Sequence, residues 1–309
     1  MILRLTNTGI VLLLLLSVTI VCECQKAPED RVVLVRGDEL LIAKADGSHV
    51  KVLVKDGARK EEPRWSPDKG RIVYRVDADG NPTTTHARLL VISANGTPEK
   101  DVPVWAIEPD GTVVGGLRFV EESGWHSNTS VYASGSVNPN LAEYRIIDVQ
   151  TGRVTTSYFG TSFATCPAKA QVAYVTETRN ASGQVKTQVE INGNPVYASS
   201  NDQNLPIQSL QWSADCDRLA FTDSNDRAAF VVLRGGTVEA SISLPQTPES
   251  LTITKIDDSF LLQSSAGAAF YDGSTRSLRS APALVEKANE IRLEHERVLK
   301  KLGSSQADW

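Results

Sequence analysis

The sequence predicts an all-β protein that ends in one amphipathic helix. Three observations carry this prediction: short apolar runs recur along most of the chain, Asp-Gly and Asn-Gly pairs separate many of them, and the spacing of apolar residues changes near the C-terminus. Asp-Gly and Asn-Gly tolerate the positive φ that two-residue hairpin turns require, so their recurrence favours antiparallel strands. With 41% hydrophobic and 22% charged residues, the composition is that of an ordinary globular protein.

Residues 1–24 are predicted to be an export signal. A positive residue near the start precedes the apolar run Ile10–Val21, which is short for a helix that crosses a hydrocarbon core of about 30 Å. Signal cleavage requires small residues at the −3 and −1 positions, and Cys22 and Cys24 meet this requirement when the cut falls before Gln25. Two alternatives stay open: the run remains as an uncleaved anchor, or one of these cysteines carries a lipid as a lipoprotein N-terminus.

The first strands follow this segment directly. Strand-like runs occupy Arg31–Val35, Glu39–Ala43 and Val50–Val54, with turns at Asp46-Gly47 and Asp56-Gly57. Apolar runs of this length between hairpin turns predict an antiparallel meander.

A longer unit, in which Trp-Ser-x-Asp leads into an apolar strand, then repeats along the chain. The first copy contains Trp65, Ser66, Pro67 and Asp68, and the second contains Trp212, Ser213 and Asp215. A degenerate third copy spans Phe163–Tyr174, and Leu117–Phe119 is predicted to open a fourth. Units of about 40 to 50 residues with several strands each are typical of β-propellers.

Residues 25–282 are therefore predicted to form a β-propeller of five or six blades. The predicted blade segments are 31–60, 63–105, 115–160, 163–204, 208–246 and 249–280. The first segment has fewer strands than a full blade, so we expect it to combine with the last segment and close the ring. Closure leaves only short, protected strand edges.

The turn Trp65–Asp68, followed by Gly70 and an apolar strand, resembles the repeat signature of the TolB-like β-propellers, which are exported relatives of WD-type propellers. The turn Trp212–Asp215 resembles it less fully, and the likeness covers about residues 30–282. The resemblance implies structural roles: the Trp packs between blades and the turn links two strands. It also implies a protein-binding platform in the cell envelope, periplasmic or envelope-associated.

Residues 283–303 are predicted to form the C-terminal helix, followed by a tail at 304–309. One stripe of residues spaced four and three apart consists of Leu284, Ala288, Ile291, His295, Val298 and Leu302. We expect this stripe to dock on the rim of the propeller, because an undocked helix of this length is marginally stable in water. A helix that binds a partner is the alternative.

Cleavage before Gln25 would leave two cysteines, Cys166 and Cys216. They fall near the starts of corresponding repeat turns, one blade apart. In an oxidising compartment the pair is expected to form a disulfide between neighbouring blades, provided that the Cα atoms approach within about 7 Å. Two free, buried thiols are the alternative.

The charge pattern argues against nucleic acid and anionic lipid as partners. The chain has 32 basic and 37 acidic residues, without the clustered Lys and Arg that phosphate binding requires. Membrane contact is expected only through a lipid or an uncleaved N-terminal anchor. No cofactor or metal is predicted, because the four histidines are scattered singly. The acidic stretch Asp77–Asn81 is predicted to be a hairpin turn rather than part of a calcium loop.

The predicted function is a non-enzymatic, protein-binding propeller. A catalytic serine is not predicted, because Gly160–Ala164 is the nearest approach to a nucleophile elbow and lacks its closing glycine. The alternative is a propeller enzyme of the lyase or glycosidase type with a polar site in the central funnel. Several Asp, Glu, His or Arg side chains converging at one funnel mouth would mark that alternative.

Overall fold

A computed structural model provides the fold. It describes residues 31–76, 87–104, 117, 120–138, 141–179, 185–199, 207–224, 229–244, 251–264, 267–280, 282–304 and 306–308. The predicted export signal with Cys22 and Cys24, and the predicted turn Asp77–Asn81, lie outside these residues.

The described chain is mostly β, and its antiparallel strands form sheets that follow one another in sequence. The first sheet contains β1 (Arg31–Arg36), β2 (Glu39–Lys44) and β3 (Lys51–Lys55). The second sheet contains β4 (Lys60–Trp65), β5 (Arg71–Val76), β6 (Arg88–Ser93) and β7 (Pro98–Pro103).

The third sheet has seven strands. These are β8 (Glu122–Trp125), β9 (Ser130–Asn138), β10 (Leu141–Asp148), β11 (Val154–Cys166), β12 (Gln171–Arg179), β13 (Val185–Ile191) and β14 (Asn194–Ala198). A short 3-10 helix at Pro167–Lys169 separates β11 from β12.

Two four-stranded sheets complete the β structure before the helix. The fourth sheet contains β15 (Ile207–Trp212), β16 (Arg218–Asp223), β17 (Ala229–Arg234) and β18 (Thr237–Ser243). The fifth contains β19 (Thr252–Ile256), β20 (Ser259–Ser264), β21 (Gly267–Asp272) and β22 (Ser277–Ser280). Helix α1 (Pro282–Leu302) and strand β23 (Gln306–Asp308) end the described chain.

The sheets pack face to face, which explains why many strands are continuous apolar runs instead of alternating ones. In β17, Val231 packs towards the third sheet, whereas its neighbours Phe230 and Val232 pack towards the fifth. Both faces of such a strand are buried, so successive residues are all apolar. The first strands of several sheets also lie beside strands of the neighbouring sheets, since β4 contacts β8, and β15 contacts both β11 and β19. This arrangement is propeller-like.

A strand from the C-terminal end completes the first sheet. β23 pairs antiparallel with β1, with Val33 opposite Asp308, and it also contacts β4. The Asp308 carboxylate accepts a hydrogen bond from the Trp65 backbone N–H at 2.8 Å. The prediction that the first segment needs strands from elsewhere is confirmed, but their source was wrong. The fifth sheet keeps its own four strands, and the completing strand lies in the predicted tail at 304–309.

Helix α1 packs on a face of the first sheet and also contacts β21 of the fifth. Val298 and Leu302 are buried in one cluster with Val32, Leu34, Leu41 and Ala43. The helix therefore lies against the face of the first sheet. The prediction had instead placed it on the rim of the propeller. His295 is half-buried, and burial lowers the pKa of its imidazole. Among the described residues no helix has both the length and the apolar character of a membrane span.

Strand β11 changes partners along its length. Its first half pairs with β10, ending at Gly160 opposite Ala142, and its second half pairs with β12, beginning at Thr161 opposite Val175. A Cβ atom on Gly160 would lie 2.3 Å from the Val175 carbonyl oxygen. The close approach of two backbones at this point therefore requires glycine.

The Trp of the third sheet was missed by the sequence prediction. Leu117–Phe119 was expected to open a repeat, but the first strand of this sheet is β8, and Trp125 ends it. Trp125 pairs with Val131, as Trp65 pairs with Ile72 and Trp212 with Leu219. Trp125 was missed because His126 replaces the Ser of the Trp-Ser-x-Asp turn. Leu117 is buried near it, whereas residues 118 and 119 are outside the described part.

Candidate functional site

The predicted repeat turns use their polar atoms to hold themselves together. The Ser66 hydroxyl accepts from the Arg71 N–H at 2.9 Å, and Ser213 accepts from Arg218 at the same distance. Asp68 and Asp215 each accept from a backbone N–H two residues ahead, at 3.0 Å. Pro67 lies between these groups in the first turn and is half-buried. The Ser and Asp side chains of both turns therefore form hydrogen bonds within their own turns.

Two of the Trp side chains join neighbouring sheets. Trp212 donates from Nε1 to the Ala164 carbonyl at 3.0 Å, and Trp125 donates to the Arg64 carbonyl at 3.1 Å. Trp65 is equally buried, but within the described part of the chain its Nε1 has no hydrogen-bond partner.

The disulfide forms between neighbouring sheets. Cys166 at the end of β11 is bonded to Cys216 in the turn after β15, and their Cα atoms are 6.0 Å apart. Both residues are buried, and they share one hydrophobic cluster with Trp212.

Buried arginines form a second kind of connection between sheets. Each pairs with a glutamate of its own sheet and donates to a backbone carbonyl that flanks a strand of another sheet: Arg75 with Glu61 and Val120, Arg145 with Glu143 and Val104, and Arg218 with Glu239 and Gly273. These pairs neutralise charge in the interior and tie the sheets at defined positions.

Beside Arg75, polar side chains gather around the first strand of the second sheet. Arg75 Nη1 is 3.3 Å from a Glu62 oxygen, and the Ser123 hydroxyl donates to the same oxygen at 2.8 Å. Glu62 lies in a β-bulge with a left-handed φ of 50°. Burial raises the pKa of its carboxyl above the usual value, although Arg75 and Ser123 oppose the shift.

The raised pKa of Glu62 predicts how the free energy of unfolding depends on pH. The folded state binds the Glu62 proton more tightly than the unfolded state, so protonation favours folding below the usual pKa of 4.5, and this contribution is lost as the pH rises through the folded-state value. We therefore expect Glu62→Gln to raise the free energy of unfolding at pH 7, with the gain shrinking towards pH 4.5. Urea unfolding across that range measures it.

The matched control for this experiment is Glu177→Gln, which removes the charge of an exposed glutamate and should leave stability nearly unchanged. Equal stability of Glu62→Gln and the native protein at pH 7, or a gain that grows on acidification, would contradict the prediction.

A separate candidate site lies in the third sheet, where β11 and β12 diverge. Beyond the pair Thr161–Val175, the two strands separate, and a cavity of about 580 Å³ opens between them. We call it the fork, and its lining residues are Leu141, Ser157, Tyr158, Phe159, Gly160, Thr161, Tyr174, Val175, Thr176, Glu177, Thr178 and Glu190.

The aromatic side chains of the fork continue into the interior of the sheet. Tyr158 and Tyr174 have ring centroids 5.2 Å apart, and Tyr174 contacts Phe163, which stacks on Tyr144. Phe159 points the other way and is 50% exposed. The fork therefore has a floor of packed aromatic rings and one large apolar side chain open to solvent.

A carboxylate lies at the side of this floor. Glu190 accepts hydrogen bonds from the Tyr174 hydroxyl at 2.7 Å, from Thr176 at 3.0 Å and from the Gln188 amide at 2.8 Å. Burial and the bond to Glu190 raise the pKa of Tyr174, so its phenol keeps its proton and continues to donate. All three donors are neutral, and within the described residues no ion pair neutralises Glu190.

Sequence reasoning missed the fork. Gly160–Ala164 was considered only as a failed nucleophile elbow, and Glu190 was not singled out. One signal was available in the sequence. The strand-like run continues through Gly160 without a turn pair such as Asp-Gly or Asn-Gly, and the adjacent aromatics Tyr158 and Phe159 stand directly before this glycine.

Metal-binding groups do not assemble in the described chain, where no three His, Cys, Asp or Glu side chains lie together in a suitable geometry. Of the four histidines, His49 is exposed and His295 half-buried, while His86 lies outside the described residues. His126 is buried 3.3 Å from the Tyr144 hydroxyl, and burial lowers its pKa.

Comparison with known proteins gives the class of fold. No protein-family model matches the sequence, and no curated protein matches it. Similar solved structures include a chain of the mitotic checkpoint complex, at 12% identity, over 81% of this chain and 76% of that one, with a TM-score of 0.50. The β-propeller domain of the trilobed protease from Pyrococcus furiosus is 12% identical, over 81% and 80%, with a TM-score of 0.48.

TolB from Acinetobacter baumannii is also similar, at 15% identity, over 81% of this chain and 62% of that one, with a TM-score of 0.33. At such identities a likeness concerns the fold alone. Together with the face-to-face packing of the sheets, the likeness to the chain of the mitotic checkpoint complex supports a mostly β, propeller-like fold.

Proposed function

We propose that this protein is a non-enzymatic, protein-binding propeller of six blades. Five sheets are present among the described residues, and assigning the two halves of β11 to separate blades divides the seven-stranded sheet in two. The observation that carries the binding function is the fork, where the half-exposed Phe159 adjoins strand edges that lack a partner among the described strands. Exposed aromatics beside open strand edges favour contact with another chain.

We also propose that the chain is exported to the periplasm or the cell envelope. The bond between Cys166 and Cys216 supports this, because disulfides persist in oxidising compartments and are rare in the cytosol. The resemblance of the Trp65–Asp68 turn to TolB-like repeats is consistent with the same location.

The binding proposal is tested by cross-linking from the fork. A photoreactive phenylalanine analogue at position 159 should form an adduct with a protein in an envelope extract of the source cells. The matched control carries the same analogue at Val238, which is 52% exposed on β18 of another sheet. Adducts at position 159 that do not exceed those at 238 would contradict the proposal.

The alternative function is a propeller enzyme of the lyase or glycosidase type, and one observation favours it. Glu62 on β4, with its raised pKa, lies beside Arg75 on β5 of the same sheet and Ser123 on β8 of the next sheet. Turnover of a polysaccharide panel by the native protein, lost in Glu62→Gln, would replace the binding function with this one.

A further inference from the structure

We propose that the fork binds an extended polypeptide segment carrying lysine or arginine, which adds as a strand along the open edge of β12. This inference deepens the proposed binding function and rests on it. Its basis is the edge itself, the charge around it and the side chains that flank it.

The open edge is the second half of β12. Thr176, Glu177, Thr178 and Arg179 pair with β13 on one side, from Gln188 to Val185. On the other side, the ladder to β11 ends at Val175, because β11 turns away at Gly160 to pair with β10. Within the described chain, these four residues therefore have no strand on that side. Alternate N–H and C=O groups of such an edge point outward and accept an added strand.

The charge of the fork selects the chemistry of the segment. Among the described residues, Glu177 and Glu190 are the charged ones that line the cavity, and both are acidic; Arg179 of the same edge is not part of this lining. Glu190 is held by three neutral donors, in contrast to Glu61, Glu143 and Glu239, which each contact an arginine. A lysine or arginine from the bound segment would supply the missing counter-charge.

The two faces of the open edge offer the same kinds of side chain to a bound strand. Tyr158 packs beside Tyr174, on the face where Glu190 lies. Successive strand residues point to opposite faces, so Phe159 and Glu177 belong to the other face. Each face thus offers one aromatic and one carboxylate, which fits a strand that carries basic and apolar side chains on both sides.

Peptide selection tests this proposal. The folded protein is used to select from a displayed library of random peptides of about seven residues, which exceed the four-residue open edge of about 13 Å at about 3.3 Å per residue. We expect enriched peptides to carry lysine or arginine together with apolar residues. Affinity should fall at least about tenfold in Glu177→Gln/Glu190→Gln, and N-methylation of the central peptide bonds should abolish binding because it removes strand hydrogen bonds.

Two further arms complete the design. Glu294→Gln, which alters an exposed glutamate on α1, is the matched control and should leave the affinity unchanged. Acidic or proline-rich enriched peptides, affinity unaffected by the paired substitution, or failure to enrich any peptide would overturn the proposal. An adduct at position 159 with a second copy of this chain would also overturn it. Adducts with a protein partner but no peptide binding would leave the binding function standing and remove only this inference.

Discussion

The variant Cys166→Ala/Cys216→Ala is expected to lose about 4 kcal/mol of unfolding free energy. The bond closes a loop over a sequence separation of 50 residues, and the chain-entropy relation assigns about 4 kcal/mol at 25 °C to a loop of that length. The cost arises mainly in the unfolded chain, which gains freedom when the link is removed. Urea unfolding of the two proteins measures the difference.

The control for this prediction is the native protein in reductant, which opens the same link without changing the sequence. Its stability should approach that of the double variant, apart from the small cavity that alanine leaves at two buried positions. A loss below about 1 kcal/mol for the double variant would show that the unfolded chain is held together by other means.

The succession of strands was predictable from the sequence because hairpins are encoded locally. The predicted segment 31–60 contains β1 to β3, and the predicted segment 208–246 contains most of β15 to β18. The Trp-Ser-x-Asp turns also mark where strands β4 and β15 end. Their Ser and Asp side chains accept hydrogen bonds from backbone N–H groups only a few residues ahead, so the signal is local. The pairing of Cys166 with Cys216 followed from two corresponding turns.

The remaining features depend on contacts between distant parts of the chain. β23 has only three residues and no strand signal of its own, and it pairs with β1 because the first sheet offers an open edge there. The partner change of β11 depends on the close approach of two backbones at Gly160, where an added Cβ atom would lie 2.3 Å from the Val175 carbonyl oxygen. Neither local propensity nor periodicity reports such a distance. The fork could therefore not be predicted from the sequence, because its residues come together only through contacts between separate strands.

The buried arginines show the same limit. Glu143 and Arg145 are two residues apart on β10 and point to the same face. From the sequence alone, charged residues at alternate positions predict a strand face that is exposed to solvent. The structure buries both, because Arg145 reaches the Val104 carbonyl of the preceding sheet region at 3.1 Å.

Arg145→Met is expected to cost about 3 to 5 kcal/mol of unfolding free energy, the usual cost of breaking a buried ion pair from one side. Arg145 donates twice to the Glu143 carboxylate, at 2.8 Å each. The side chain of Glu143 is only 6% exposed, so removal of the arginine leaves a buried charge without its partner. The Val104 carbonyl also loses its donor, which adds a desolvation penalty. Urea unfolding again gives the loss.

The paired variant Glu143→Leu/Arg145→Met separates the cost of an orphaned charge from the value of the ion pair. Because burying two charges carries a desolvation cost, apolar replacement of both should recover most of the loss, with a remainder from the unpaired Val104 carbonyl. Arg292→Met on α1 removes one partner of an exposed pair with Glu296 and should cost less than about 1 kcal/mol. If the paired variant were no more stable than Arg145→Met, the arginine would act through its bond to Val104, and the connection between the sheets, rather than charge neutralisation, would explain its burial.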